Sequence, residues 1–134
     1  MRKKLSVMAA GLGFMLAAVS VNAHHAFSAE FDAARPVTLK GTVTKMEWIN
    51  PHSWITIDVK KPDGKVESWM VEGGAPNALL RRGFTKASLP PGLEIVVEGY
   101  QATDGANRAN GRDITFPDGS KLFVGSQGTG APVK

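Results

Sequence analysis

Three histidines are the residues of this sequence best suited to chemistry, and they fall in two short places: His24 and His25 side by side, and His52 within Asn50-Pro51-His52-Ser53-Trp54. The chain has no cysteine. Thiol nucleophiles, disulfides and thiolate metal sites are therefore excluded, and any metal would be held by nitrogen and oxygen. If the working chain starts at His24, that residue carries both a free amine and an imidazole, two nitrogen donors that close a chelate ring. The imidazole of His52 would complete a three-nitrogen, roughly planar set of the kind copper(II) prefers. His25 offers a second route, because an amine, the following amide nitrogen and the side chain of residue two can also wrap copper(II). Nitrogen-only sets suit nickel and zinc as well, so copper(II) is expected from donor type alone. The plainer alternative is that His24 and His25 are exposed leftovers at a terminus and that the His52 ring bonds to backbone in a turn.

Both metal routes need a cut before His24, and the first residues supply one. Arg2, Lys3 and Lys4 form a positive start, residues 5–19 are almost wholly apolar and small, and Val21-Asn22-Ala23 puts suitable residues at positions −3 and −1 of a cleavage site. The apolar run is shorter than the roughly 20 residues of a membrane-spanning helix, and no cysteine follows to accept a lipid. The pattern predicts a cleavable signal over residues 1–23 and a periplasmic product; an uncleaved anchor is the alternative. Removing 23 of the 134 residues leaves 111, enough for one domain with a single modest core. Three of the 16 basic residues leave with the signal, so 13 face 12 acidic ones. A nearly neutral domain has no electrostatic footprint for nucleic acid, which is dropped as a partner.

The elements that must position the histidines follow from hydrophobic period. Residues 24–36 read as an amino-terminal arm without clear period, closed by Pro36. From 37 to 49 the chain alternates through Val37, Leu39, Gly41 and Val43, then changes phase to Met46 and Trp48, which predicts a long, bulged, bent strand. Residues 52–60 and 66–71 read as a hairpin across Lys61-Pro62-Asp63-Gly64. Residues 75–82 read as the one short helix, with Pro76 near its start and Gly83 placed to cap it. Further strands are expected at 93–101, 113–116 and 121–124, followed by a flexible, Gly-rich tail at 125–134. The expected fold is all-β with one short helix: a small five- to six-stranded OB-like Greek-key barrel over residues 37–124. A small open sandwich would satisfy the same strand list.

Several runs are characteristic: His24-His25-Ala26-Phe27, Phe31-Asp32, Gly41-Thr42-Val43, Glu47-Trp48-Ile49-Asn50-Pro51-His52-Ser53-Trp54, Pro76-Asn77-Ala78-Leu79-Leu80-Arg81-Arg82-Gly83, Val97-Glu98-Gly99-Tyr100 and Pro117-Asp118-Gly119-Ser120-Lys121-Leu122-Phe123. Together they resemble a family of small exported bacterial proteins catalogued as a domain of unknown function. The resemblance implies an exported bacterial domain and carries no activity, ligand or site residue with it.

The aromatic residues suggest a second kind of site. Taken with an even-numbered turn, the hairpin would send Ile55, Ile57 and Val59 inward with Val66, Ser68 and Met70, and would send Trp54 outward with Trp69. That pair would form a platform on the outer face of the second and third strands, where OB-folds bind extended ligands. Trp48 and Asn50, with His52, bracket the adjoining bend. Such a face would suit a sugar chain, a peptide or a partner protein in the envelope. Alternatively the arm or the tail folds over the tryptophans and buries them as a second small core. Tyr100 and the Arg81-Arg82 pair read as structural. No set of nucleophile, base and orienter assembles, and an oxidative copper enzyme would need an open coordination position and a substrate surface that the sequence does not display. The expectation is a binding protein, for copper(II) through His24, His25 and His52, or for a non-metal ligand through Trp48, Asn50, Trp54 and Trp69.

Overall fold

The computed structural model describes residues 26–125. The signal at 1–23, His24 and His25, and the tail at 126–134 lie outside the described residues. A short helical segment at 26–30 leads into strand β1 (Phe31–Glu47), β2 (Trp54–Lys60), β3 (Val66–Glu72), helix α1 (Pro76–Arg81), a 3-10 turn at Lys86–Ser88, β4 (Glu94–Ala102), β5 (Arg108–Thr115) and β6 (Lys121–Phe123).

β1 serves two partners in succession. Phe31 to Thr42 pairs with β4, and Thr42 to Glu47 pairs with β2. The strand must turn sharply where the partner changes, and two local features allow it. A Cβ on Gly41 would lie 2.8 Å from the Asp58 carbonyl oxygen, so only glycine lets β2 approach that closely. The register then slips between Val43 and Lys45, a bulge that moves the inward face from Leu39, Gly41 and Val43 to Met46 and Trp48. The bend expected from the change of phase is present. The strand is longer than expected, because Phe31 to Pro36, read as arm, runs along β4.

Closure comes from β3. Its last residues, Met70 to Glu72, pair in parallel with Arg108 to Asn110 of β5. The hydrogen-bonded ring therefore runs β1-β2-β3-β5-β4 and back to β1, with β6 added to β5. A five-stranded Greek-key ring with a helix between β3 and β4 is the topology of an OB-like barrel, and the open sandwich is ruled out by the β3–β5 pairing. Inside the ring Val43, Ile55, Ile57, Val71, Ile95, Val97 and Ile114 are fully buried. Such burial contributes about 1.5–3 kcal/mol for each large aliphatic side chain.

α1 closes one end. It has no side-chain cap at Ala75 and starts on Pro76. Its carboxyl end is held by Gly83 N–H donating to Leu80 O and Phe84 N–H donating to Leu79 O, a Schellman arrangement whose apolar partners, Leu79 and Phe84, are both fully buried. Arg82 leaves the helix end, donates to the carbonyl of Gly125 at 2.6 Å and stacks 4.7 Å over the Phe123 ring. That ties β6 to the helix. β5 begins at Arg108, earlier than the expected Asp113, and those added residues are the ones that close the barrel.

Candidate functional site

His52 is positioned by backbone bonds rather than by a strand. It follows the cis Asn50–Pro51 bond, and the next residue is fastened on both sides: Ser53 N–H donates to Gly74 O at 3.1 Å, and Gly73 N–H donates to Ser53 O at 2.8 Å. These bonds extend the β2–β3 pairing past Trp54 and Glu72, which are register partners. His52 is thereby held beside the end of β3, and its Nδ1 stands 3.6 Å from Oε1 of Glu72. Glu72 did not figure among the expected site residues.

Glu72 is a carboxylate in a covered position. It lies on the outer face of the barrel, in register with Asn110 of β5, whose side chain hydrogen-bonds to it. The residues at 26–31 lie over this face. Phe27, Phe31, Tyr100 and Ala102 form a buried cluster separate from the barrel core, with Trp54 packed against it. Arg108 contributes a cation 5.8 Å over the Phe31 ring. Burial pushes the Glu72 carboxyl above its usual range, and the nearby Glu30 charge pushes the same way, against His52, Arg108 and the Asn110 hydrogen bond.

Between this face and the helical segment is a cavity of about 80 Å³ lined by Ala26, Phe27, Glu30, Phe31, His52, Glu72 and Asn110. Two phenylalanines and an alanine face four polar residues on its walls, and it holds more volume than one water needs. Two carboxylates and an imidazole give it the character of a cation pocket. Among the described residues no group of three or more His, Cys, Asp or Glu side chains is arranged to hold a metal ion, and His52 is the one imidazole on the cavity wall. His25 is bonded directly to Ala26 of the cavity wall.

The aromatic platform is overturned. Lys60 pairs with Val66, so the connection at 61–65 has an odd number of residues and positions of like parity face each other. Ile57 is opposite Trp69, and Trp69 is a core residue, 7% exposed, on the side of the sheet away from Trp54. Val66 and Met70, expected inside, are exposed at 61% and 41%. Trp48 packs partly buried against the barrel core, and Asn50 is exposed in the loop. Of the two outcomes weighed for Trp54, the arm covering it is the one that occurs. The site residues that the sequence reading missed are Glu72 and Asn110. Counting an odd connection would have paired Trp54 with Glu72 and given the first; Asn110 was hidden because its stretch lacks a strand-like period.

A closed five-stranded ring with a helix at one end and a small polar cavity under an amino-terminal segment defines an all-β, OB-like barrel protein with a lateral pocket. Among the described residues no helix is long and apolar enough to cross a membrane. The chain belongs to DUF6152, a family of unknown function whose profile matches residues 13–111. No curated protein and no solved structure matches the chain.

Proposed function

We propose that this is an exported, periplasmic binding protein that captures copper(II) at the mouth of the cavity between the amino-terminal segment and the barrel, with the amine and imidazole of His24, the imidazole of His25 and the imidazole of His52 as the nitrogen donors. One observation carries the reading: His52 and Ala26 line the same cavity. In the sequence His25 is the residue bonded to Ala26, and His24 is the one before it. The buried Glu72 carboxylate and Glu30 favour a cation there, and nitrogen donors from an amine and imidazoles select copper(II) over the oxygen-preferring divalent ions.

The test is a copper(II) titration of mature protein beginning at His24, beside the same protein with its terminal amine acetylated, which removes that donor, and a His52→Ala variant. The mature protein should bind with a Kd at least tenfold below that of either altered form. Equal affinity in all three sinks the proposal. Nickel(II) and zinc(II) run in parallel; either binding more tightly than copper(II) would overturn the choice of metal.

A further inference from the structure

His52 is divided between two environments. Its side chain is 34% exposed, yet Nδ1 is fully buried. The solvent-facing edge of the ring is therefore the one that carries Nε2. Nδ1 has no hydrogen-bond partner among the described residues, and 3.6 Å away lies Oε1 of a Glu72 side chain that is only 9% exposed. A neutral imidazole has one N–H and one bare lone pair. With the lone pair on Nδ1, two acceptors would be buried face to face, which leaves Nδ1 without a partner. The N–H belongs on Nδ1, and the free lone pair on Nε2.

Glu72 is fixed where it can do this. Its backbone closes the barrel through the Glu72–Asn110 register, its carboxylate is hydrogen-bonded by the Asn110 side chain, and the Phe27–Phe31–Tyr100 cluster covers the face on which it sits. What it can do is set the ring.

We infer that Glu72 is a positioning residue of the proposed metal site: its carboxylate accepts the Nδ1–H of His52, holds the imidazole in one tautomer and one rotation, and presents Nε2 to a nitrogen-preferring divalent cation. The inference rests on the metal reading given above. A carboxylate behind a ligating imidazole both fixes its tautomer and makes the ligand more basic. The 3.6 Å separation is longer than an N–H···O bond, and the pair tightens to hydrogen-bond distance when a cation on Nε2 makes the Nδ1 proton more acidic.

The tautomer can be read without metal. Long-range 1H–15N spectra of the metal-free mature protein, at a pH well above the usual imidazole range, should show His52 as the Nδ1–H form, and Glu72→Leu should lose that preference. In copper(II) titrations Glu72→Gln, which keeps an acceptor but no charge, and Glu72→Leu should both bind more weakly, within the about 10- to 100-fold range that such outer partners command, with leucine the weaker. An Nε2–H form in the wild type overturns the inference, as does a Glu72→Gln protein that binds copper(II) as tightly as the wild type. Should Glu72→Leu fail to fold, the wild-type spectrum and the glutamine variant still decide. A wild type that shows Nδ1–H yet binds no metal would instead overturn the metal reading and the inference with it, a result distinguishable from the first failure by the tautomer.

Discussion

The ring of Phe27 meets the ring of Tyr100 edge-on, at 5.7 Å between centroids and 87° between planes. One residue comes from the helical segment at the start of the described residues and the other from near the end of β4. Phe27 also leans on Phe31 at 6.0 Å. The contact makes the segment at 26–30 part of the fold, and Phe27 lines the cavity with His52 and Glu72. Aromatic pairs of this geometry are worth about 0.5–1.5 kcal/mol beyond the area they bury.

Phe27→Ala should therefore release the segment at 26–30 without unfolding the barrel. Cutting a fully packed phenylalanine to alanine costs about 3–5 kcal/mol when the surroundings cannot let go. Here the segment can undock, so the loss should stay below about 3 kcal/mol. Hydrogen exchange should show faster amides at 26–31 while Ile55, Ile57 and Val97 keep wild-type protection. Uniform acceleration through the barrel would show that the segment is not a separate docking unit.

The opposite placement of the two hairpin tryptophans gives a second expectation. Trp69 is packed in the barrel core with Ile57 and Val71, whereas Trp54 supports the outer cluster. Trp69→Ala should cost about 3–5 kcal/mol in urea unfolding, and Trp54→Ala clearly less, because the arm can settle. A larger loss at Trp54 would contradict the assignment of faces.

The same hairpin shows what could be read from the sequence and what could not. The bent first strand was legible because the alternation of Val37, Leu39, Gly41 and Val43 breaks visibly at Met46. The helix was legible because Pro76 and Gly83 mark its ends. Those two elements suffice to suggest the barrel. The face of β3 was not legible, because it depends on whether the connection after Lys60 has an even or an odd number of residues, and a Lys-Pro-Asp-Gly turn admits both. One miscounted residue carried Trp69 from the core to the surface and separated Trp54 from its true neighbour, Glu72. The cavity was out of reach for a different reason. It is built by Ala26, Phe27, Glu30, His52, Glu72 and Asn110, which come from four separate stretches brought together by the β2–β3 pairing, the parallel β3–β5 closure and the packing of Phe27 and Phe31. Of the proposed donors, His52 alone falls among the described residues.

Asp118 offers a titration whose sign can be checked. In the β5–β6 turn its Oδ1 accepts from Ser120 Oγ at 2.6 Å and from Ser120 N–H at 2.9 Å. Those bonds, the hydroxyl first, hold its carboxyl below the usual range. A depressed value in the fold means stability that is present above the unfolded carboxylate value, about 3.9, and is lost as pH falls through the folded one. Ser120→Ala should move the Asp118 midpoint upward in a carboxyl 13C titration, and should destabilise the protein near neutral pH but not in strong acid. An unmoved midpoint would show that the hydroxyl is not the main cause.

Two glycines separate close approach from backbone conformation. At Gly41 an added Cβ would sit 2.8 Å from the Asp58 carbonyl oxygen and 3.2 Å from side-chain carbons of Ile57 and Val59. The carbonyl is backbone, adjoining the Thr42–Asp58 register pair, so it can yield only by moving β2 off β1. At Gly64 the φ is +83° and nothing lies within 4 Å of the added atom. Alanine there meets only the left-handed penalty of about 1–2 kcal/mol, and the reduced freedom of the unfolded chain returns part of that, about 0.4–1 kcal/mol. Gly41→Ala should cost about 1–3 kcal/mol from overpacking, and more than Gly64→Ala in parallel urea unfolding curves. Gly41→Ala should also speed exchange of the β2 amides that bond β1, which Gly64→Ala should leave alone. If Gly64→Ala proves the more damaging of the two, the bend of β1 does not depend on close contact at Gly41, and the bulge between Val43 and Lys45 must hold the closure by itself.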